Sequence, residues 1–201
     1  MFTGIVQAKA PVIAHLRQQA LSQIEVELPE PMIDGLALGA SVALDGCCLS
    51  VTSIEGTRVT FDMMRETLRL TTLGQREAGD VVNVERAARV GDDIGGHLMS
   101  GHIACMASIV ELDTAPNNLR IWFDLPMDFT RFVLDKGYIG IDGISLTIGA
   151  VDHGRFCVNL IPETMARTTL ADKGIGDSVN IEIDPQTQAI VETVERVLAA
   201  R

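Results

Sequence analysis

Short stretches of alternating apolar and polar residues recur along the chain, and Gly, Asp and Pro separate them. The stretches at 24–28, 41–44, 49–54, 58–61 and 81–85 are rich in β-branched residues. Turn residues interrupt the pattern about every 8–12 residues, which is typical of a small sandwich or barrel. The pattern therefore predicts an all-β fold built from short strands.

The same pattern occurs twice, at a constant offset of 97 residues. The segment Asp-Gly-x-x-Leu-x-Val/Ile starts at Asp45 and again at Asp142, and Glu-Thr-x-x-x-Thr-Thr-Leu starts at Glu66 and again at Glu163. Such a long period without gaps indicates a duplicated domain and not a solenoid repeat. The copies span about 1–88 and 98–186, a linker lies at 87–93, and the predicted domains are 1–97, 98–186 and 187–201.

The third of these domains has the pattern of an amphipathic helix. One helical stripe collects its apolar residues, which are Ile190, Val191, Val194, Val197 and Leu198. Charged residues fall off the stripe, as in a helix with one face against protein. This helix either packs on the barrels of its own chain or joins neighbouring chains, and the pattern leaves both open.

Composition and charge narrow the classes of partner. The chain has 201 residues, of which 47% are hydrophobic and only 4% aromatic, so the cores are expected to be aliphatic. A net charge of −11, without a cluster of Lys or Arg, disfavours nucleic acid and anionic membranes as partners. Because no secretory leader and no long apolar run is visible, we expect a cytoplasmic protein with reduced cysteines.

The duplicated Asp-Gly segment predicts a strand with two different faces. Residues alternate between the faces of a strand, so Cys48 and Ser50 share one face in the first copy, as do Ser145 and Thr147 in the second. Small polar groups beside a Gly turn allow a planar ligand to approach the backbone. The alternative is that these groups simply face solvent.

The second shared element, Glu-Thr-x-x-x-Thr-Thr-Leu, predicts short helices at 65–73 and 162–170. Amide groups at a helix start and threonine hydroxyls suit a polyol or a heterocycle. Helix capping by threonine is an equally good explanation. Short helices are also predicted after Pro29 and, at 127–134, after Pro126.

Two histidines lie in the Gly-rich stretch Ile94-Gly95-Gly96-His97-Leu98-Met99-Ser100-Gly101-His102. No metal site is predicted, because neither cysteine nor carboxylate joins the histidines at ligand spacing and no Cys-x-x-Cys pair occurs. His102 aligns with Ile5 of the first copy, so it is an asymmetric addition whose imidazole suits proton transfer near neutral pH. A structural histidine in a turn is the alternative.

Four segments together resemble the signatures of the riboflavin synthase family: Met1-Phe2-Thr3-Gly4-Ile5-Val6, Asn83-Val84-Glu85-Arg86, Gly95-Gly96-His97-Leu98-Met99-Ser100-Gly101-His102 and Gly140-Ile141-Asp142-Gly143-Ile144-Ser145-Leu146-Thr147. The resemblance implies two six-stranded Greek-key β-barrels per chain and a homotrimer held by the C-terminal helices. It also implies an enzyme without a cofactor. Two molecules of 6,7-dimethyl-8-ribityllumazine would exchange a four-carbon unit and give riboflavin and 5-amino-6-ribitylamino-uracil.

The resemblance also implies two sets of substrate-binding residues. The first set is Gly4, Ile5, Val6, Cys48, Leu49, Ser50, Asp62, Met63, Met64, Arg65, Glu66 and Thr67. The second set is Gly101, His102, Ile103, Ser145, Leu146, Thr147, Ile161, Pro162, Glu163, Thr164, Met165 and Ala166. Lys136, which aligns with Gly39, is expected to reach the ligand of a neighbouring chain.

The expected catalytic residues divide into proton transfer and addition. His102 is the candidate for proton transfer, and Cys48, Ser145 and Thr147 are candidates for adding to the ring or polarising it. Asp184 is expected to assist from the rim. The sequence does not rank these roles, and water remains an alternative nucleophile.

Two other functions compete with this hypothesis. Some relatives of the family are non-catalytic antenna proteins that bind lumazine or flavin, but this chain retains Cys48, His102, Ser145 and Thr147. A flavin-dependent reductase would carry a nicotinamide-binding domain, and no Gly-x-Gly-x-x-Gly follows a predicted strand and opens a helix here.

Overall fold

The computed structural model describes residues 1–18 and 21–200. Residues 19 and 20, in the predicted first domain, and residue 201, in the predicted tail, lie outside the described residues. Strands form two successive groups that correspond to the two copies seen in the sequence, and we call these groups the first and the second repeat. Within the described ranges, every helix is too short or too polar to cross a membrane.

The first repeat is a closed antiparallel barrel. Its strands are β1 (Ala8–Leu16), β2 (Leu21–Glu27), β3 (Ser41–Leu44), β4 (Cys47–Glu55), β5 (Arg58–Met64) and β6 (Val81–Arg86). They follow one another around the barrel in the order β1-β2-β5-β4-β3-β6. All five predicted strands are confirmed as β2 to β6. The first strand, β1, escaped prediction because it contains Pro11 and few β-branched residues.

The second repeat contains the same strands with one difference. They are β7 (Cys105–Ala115), β8 (Asn118–Asp124), β9 (Tyr138–Ile141), β10 (Ile144–Thr147), β11 (Val151–Asp152), β12 (Arg155–Leu160) and β13 (Ser178–Ile183). They form a seven-stranded sheet in the order β10-β9-β13-β7-β8-β12-β11. The counterpart of β4 is divided into β10 and β11, so this sheet is less regular than the six-stranded barrel that was expected.

A β-bulge explains the division. In the first repeat, the register between β4 and β5 shifts between Val51 and Ser53, yet β4 continues through the bulge. In the second repeat, the amide of Gly149 donates to the carbonyl of Cys157 at 2.7 Å, and the amide of Cys157 donates to the carbonyl of Ala150 at 3.0 Å. These bonds still join the divided strand to β12. The prediction of two related β repeats is therefore confirmed.

Each repeat has its own apolar core. In the first core the aromatic residue is Phe61, and the other members are aliphatic or sulfur-containing. In the second core Phe123 and Phe156 stack with ring centroids 5.2 Å apart. The predominance of aliphatic side chains in both cores agrees with the low aromatic content of the chain.

The helices are short except for the last. They are α1 (Glu30–Ile33), α2 (Arg65–Leu70), α3 (Pro162–Arg167) and α4 (Pro185–Ala199). After Pro126 the chain forms a 3₁₀ helix, Met127–Phe132, and not the α-helix that its spacing predicts. The predicted helices at 65–73 and 162–170 are also shorter than expected.

Threonines end α2 and α3. Thr71 and its counterpart Thr168 are extended, and each hydroxyl donates at 2.7 Å to a carbonyl four residues earlier, that of Thr67 or Thr164. A hydroxyl that bonds backward in this way satisfies one of the free carbonyls of the last turn. The threonines thus cap the C-terminal end of each helix, whereas neither helix has a side-chain cap at its start.

The terminal helix α4 leaves most of its apolar stripe exposed. Asp184 caps its start by accepting from the amide of Thr187 at 3.0 Å, and Arg131 pairs with Glu195 at 3.4 Å. Val191 packs against the second core, but the rest of the stripe is more than half exposed, namely Ile190, Val194, Val197 and Leu198. The helix thus touches its own chain along one edge only.

Candidate functional site

The two Asp-Gly turns meet at a pseudo-twofold axis. The amide of Asn83 donates to the Asp45 carboxylate at 2.8 Å, and that of Asn180 donates to the Asp142 carboxylate at 2.7 Å. Each asparagine also crosses to the other repeat: Asn83 Nδ2 donates to the Asp142 carbonyl, and Asn180 Nδ2 donates to the Asp45 carbonyl, both at 2.9 Å. This reciprocal contact is what an interface with twofold symmetry requires.

The same symmetry exchanges the segments that begin each repeat. The amide of Cys48 donates to the Gly101 carbonyl at 2.9 Å, and that of Ser145 donates to the Gly4 carbonyl at 2.8 Å. Val6 is buried in the second core, and Ile103 packs against the first. The expected grouping of 4–6 with Cys48 and of 101–103 with Ser145 is therefore wrong. The constant offset in the sequence identifies equivalent residues, but it does not show which repeat each first segment packs against.

Two buried glutamates hold the exchanged segments. Glu85 accepts the amides of Thr3 and Gly4 at 2.7 and 3.0 Å, and Glu182 accepts those of Ser100 and Gly101 at 2.6 and 3.0 Å. Burial raises the pKa of both carboxyls, and these amide bonds oppose the increase. Sequence analysis missed both glutamates as site residues, although their shared place in the repeat was visible.

The first cavity lies between the first repeat and the exchanged segment of the second. Its volume is about 210 Å³, and it is lined by Cys47, Cys48, Glu66, Thr67, Leu70, Thr71, Gly101, His102 and Ile103. Burial raises the pKa of the Cys47 thiol to about 12, with its neighbours Cys48 and Asp45 adding to the effect. Cys47 is therefore an uncharged thiol, whereas the half-buried Cys48 faces the cavity beside the exposed His102.

The second cavity shares two equivalent positions with the first, because Ser145 corresponds to Cys48 and Thr164 to Thr67. Its volume is about 280 Å³, and it is lined by Lys136, Ser145, Leu146, Thr147, Ile148, Gly149, Asn159, Ile161 and Thr164. The predicted faces are confirmed in both repeats, since Leu49 and Leu146 are buried while Ser50 and Thr147 are exposed. Lys136 has a positive φ of 64°, at the position where the first repeat has a glycine.

His97 contacts the second cavity through Ser145. Its Nδ1 lies 2.6 Å from the Ser145 hydroxyl oxygen, and its ring stacks on Tyr138 with centroids 5.1 Å apart. Burial lowers the pKa of His97, and the charge of Asp184 opposes this. Sequence analysis named His97 but gave it no role. Its position directly after Gly96 was the feature of the sequence that could have indicated a role.

Several expected site residues lie at the edge of the cavities or away from them. Met63 is fully buried in the first core, and Asp62 accepts from Gln23 Nε2 at 2.9 Å. Glu163 pairs with Arg167, which turns it along the surface of α3. Asp184 caps α4 and reaches the second cavity only through its charge on His97. Both cavities are lined in part by β4 or β10 and by the helix that follows β5 or β12.

A larger cleft lies on the axis between the repeats. Its volume is about 440 Å³, and it lies between the 3₁₀ turns Thr72–Gln75 and Leu170–Asp172. Its two cations, Arg76 and Lys173, are already paired with the buried carboxylates of Asp45 and Asp142. The two smaller cavities, in contrast, are lined by small polar groups that are not engaged in ion pairs.

Comparison with known proteins agrees with this duplicated architecture. The lumazine binding domain matches residues 3–87 and again residues 100–184. Riboflavin synthase from Escherichia coli (strain K12) is 58% identical over 202 residues, which cover 100% of this chain and 95% of the relative. The chain belongs to the riboflavin synthase family. Riboflavin synthase from Chlamydia pneumoniae is 42% identical, and the match covers 100% of this chain and 98% of that one.

Solved structures extend the similarity to three dimensions. The crystal structure of LumP complexed with riboflavin superposes with a TM-score of 0.84 at 25% identity, and it covers 92% of this riboflavin synthase family member and 100% of LumP. The complex of LumP with 6,7-dimethyl-8-(1'-D-ribityl) lumazine gives a TM-score of 0.83 at 24% identity. This second match shows that LumP and this chain share the same fold.

Proposed function

We propose that the chain catalyses the riboflavin synthase reaction at paired cavities. Two molecules of 6,7-dimethyl-8-ribityllumazine exchange a four-carbon unit, one leaving as riboflavin and the other as 5-amino-6-ribitylamino-uracil. No cofactor is required, because donor and acceptor are the same compound. The observation that carries the proposal is the pair of related cavities that differ in reactive groups, with Cys48 and His102 in one and Ser145 and Lys136 in the other.

Two cavities per chain fit the chemistry of two identical substrates. Holding both in one orientation replaces a bimolecular collision by an encounter within a complex, which is worth up to about 7–11 kcal/mol of barrier. Each cavity, at about 210 and 280 Å³, is smaller than the roughly 300–1,000 Å³ of a pocket that encloses its ligand. A bound lumazine would therefore leave one face open, onto which a second lumazine can stack.

We further propose that neighbouring chains bring the cavities together in a homotrimer. The exposed stripe of α4 is the surface for this contact, since α4 touches its own chain along one edge only. The first cavity of one chain would then face the second cavity of its neighbour, and Lys136, exposed at the edge of the second cavity, would reach the ligand of the adjacent chain. We also propose the domain boundaries at 97 and 186.

Within the paired site, His102 is proposed to transfer the proton of the acidic C7 methyl group of one lumazine. The thiol of Cys48 and the hydroxyls of Ser145 and Thr147 are proposed to add to C7 of the other molecule or to polarise its ring. All four cysteines are free of disulfides, which suits the reducing cytoplasm proposed as the site of the reaction.

Incubation of the protein with the lumazine alone tests the proposal. We expect one riboflavin for every two lumazines consumed, without added nicotinamide or metal, measured by flavin absorbance and fluorescence. Lumazine that is bound and released unchanged would leave only an antenna role. Bound flavin that is reduced by NADPH would instead support a reductase.

Deletion of the chain from Gln186 onward tests the trimer. We expect monomers that still bind lumazine but turn it over at least about a hundredfold more slowly, since each site loses its partner cavity. Sedimentation measures the assembly, and ligand fluorescence measures binding. A truncated chain that stays trimeric and active would refute the role of α4.

A further inference from the structure

Ser145, a candidate catalytic residue, makes a short contact with His97. The 2.6 Å between His97 Nδ1 and Ser145 Oγ is short for a hydrogen bond of this kind. Gly96 permits the approach, because a Cβ at that position would lie 2.6 Å from Ser145 Cβ and 2.2 Å from the Thr3 carbonyl oxygen. The backbone before His97 is thus built around the serine.

The imidazole of His97 is fixed and secluded from water. Its ring stacks on Tyr138, the residue is 7% exposed, and Nε2 is buried without a hydrogen-bond partner among the described residues. A buried polar atom without a partner costs free energy, and such costs persist where function requires them. Fixed in this way, the ring is held in place beside the Ser145 hydroxyl.

The first cavity has no such pair. Cys48 is the counterpart of Ser145, and its backbone is bound to the exchanged segment in the same way. Within the described ranges, its side chain makes no hydrogen bond to a histidine, and His102 lines the cavity as a separate group. The His97–Ser145 pair therefore distinguishes the chemistry of the second cavity from that of the first.

We propose that His97 is a positioning residue that acts through Ser145 in the second cavity. This inference rests on the proposed function and assigns one of its steps. Nδ1 of neutral His97 accepts the hydrogen bond of the Ser145 hydroxyl, so the oxygen presents its lone pairs to the ligand. When Oγ adds to C7 of the bound lumazine, the displaced π-electron pair moves into the ring and the hydroxyl proton passes to Nδ1; expulsion of Oγ reverses both changes and restores the pair.

The pKa of His97 is compatible with this role. Burial lowers it from the usual value, so the imidazole is neutral at neutral pH and free to accept a proton. Asp184 is the titratable group whose charge acts on the ring, and it favours the protonated form that arises during the step. Acidification protonates His97 beforehand and blocks it.

A double-mutant cycle tests the proposal. We expect His97→Gln, which moves the acceptor away from the Nδ1 position, and Ser145→Ala each to lower kcat about 10- to 100-fold, with KM changed less than about twofold. The double variant should be no slower than Ser145→Ala, because His97 has no route to the substrate without the hydroxyl. Losses that multiply in the double variant would overturn the inference.

The pH profile separates proton transfer from mere support of the fold. His97→Asn keeps an acceptor near the Nδ1 position but cannot take up a proton, so we expect a low kcat whose decrease toward acid pH is less steep than that of the natural protein, because only His102 still titrates. A His97→Asn variant with the natural rate and acid limb would contradict the role. If His97→Gln does not fold, His97→Asn takes its place in the cycle.

Two controls complete the design. Tyr138→Phe keeps the stacked ring and should retain the natural kcat, whereas a loss equal to that of His97→Gln would assign the effect to packing. Riboflavin formation by the natural protein reports the proposed function by itself. Its absence would refute that function, while its presence with multiplicative losses would refute only the part assigned to His97.

Discussion

The two repeats keep the same scaffold but differ in the groups that line their cavities. The first is a closed barrel that presents Cys48, and the second has a broken strand and presents Ser145. Residues of the Asp-Gly and Asn-Val/Ile-Glu segments, which both repeats share, hold the repeats together. The shared threonines Thr71 and Thr168 each end a helix within their own repeat. Residues that are identical in the two repeats therefore maintain the structure, whereas residues that differ between them determine the chemistry of each cavity.

Position by position, the asymmetric residues collect at the cavities. His102 stands where the first repeat has Ile5, Lys136 where it has Gly39, and Ser145 where it has Cys48. A reaction in which one substrate gives a fragment and the other receives it requires unlike groups on a like scaffold. Duplication followed by local divergence supplies both.

The largest effect is expected where the repeats meet. Gly46 and Gly143 both have φ of 80°, and a Cβ on Gly46 would lie 2.6 Å from the amide nitrogen of Gly143. Gly46→Ala combines a strained backbone with a clash against backbone that cannot move aside. We expect it to cost more than about 3 kcal/mol of unfolding free energy, measured by urea unfolding.

Gly39 provides the matched control. It has the same φ of 80°, but a Cβ there would meet nothing within 4 Å. Gly39→Ala should therefore cost only the backbone strain, about 1–2 kcal/mol. Equal losses for the two variants would show that the approach of the two turns contributes nothing to stability.

A smaller effect on stability but a large one on rate is expected at His102. The side chain is exposed at the first cavity, so His102→Gln should fold normally and bind lumazine with unchanged affinity. Without a titrating imidazole, kcat should fall about 100-fold. Stopped-flow turnover and equilibrium fluorescence give the two quantities.

The control for this variant is His153→Gln, because His153 lies on an exposed turn away from both cavities. It should keep the natural rate. A His102 variant whose affinity falls in step with its rate would identify His102 as a binding residue only.

The sequence predicted what depends on local patterns. Alternation and turn residues identified β2 to β6, and the constant offset identified the duplication and the paired polar faces of Cys48 and Ser145. The exchange of 4–6 and 101–103 between repeats was not predictable, because it depends on a long-range contact that no periodicity encodes. The partnership of His97 with Ser145 was hidden for the same reason, since 48 residues separate them.

The division of the strand in the second repeat and the short length of the helices were not predicted, for two different reasons. Gly149 replaces the Thr52 of the first repeat at a bulge, and a single substitution of this kind changes local geometry without changing the apolar pattern. Thr71 and Thr168 end their helices through a hydroxyl bond to the preceding turn, which competes with helix propagation. Helical spacing alone does not reveal such a competition.

The smallest expected effect concerns the two buried carboxylates on the axis. Arg76 donates to Asp45 at 2.7 Å, whereas Lys173 lies 3.3 Å from Asp142, whose Oδ2 has no hydrogen-bond partner among the described residues. Burial raises the pKa of Asp142 to about 6, and the charge of Asp45 adds to the increase. The second repeat therefore holds its carboxylate less well than the first.

Lys173→Arg should make this pair resemble that of the first repeat. Because the folded pKa of Asp142 exceeds the unfolded value of 3.8, ionising it costs stability as pH rises toward about 6. A guanidinium that donates to Oδ2 lowers this cost, so we expect a gain of about 1 kcal/mol at about pH 8 that vanishes near pH 5. Urea unfolding at the two pH values measures it, with Arg76→Lys as the reverse change. A gain of equal size at both pH values would mean that Lys173→Arg acts through packing and not through the charge of Asp142.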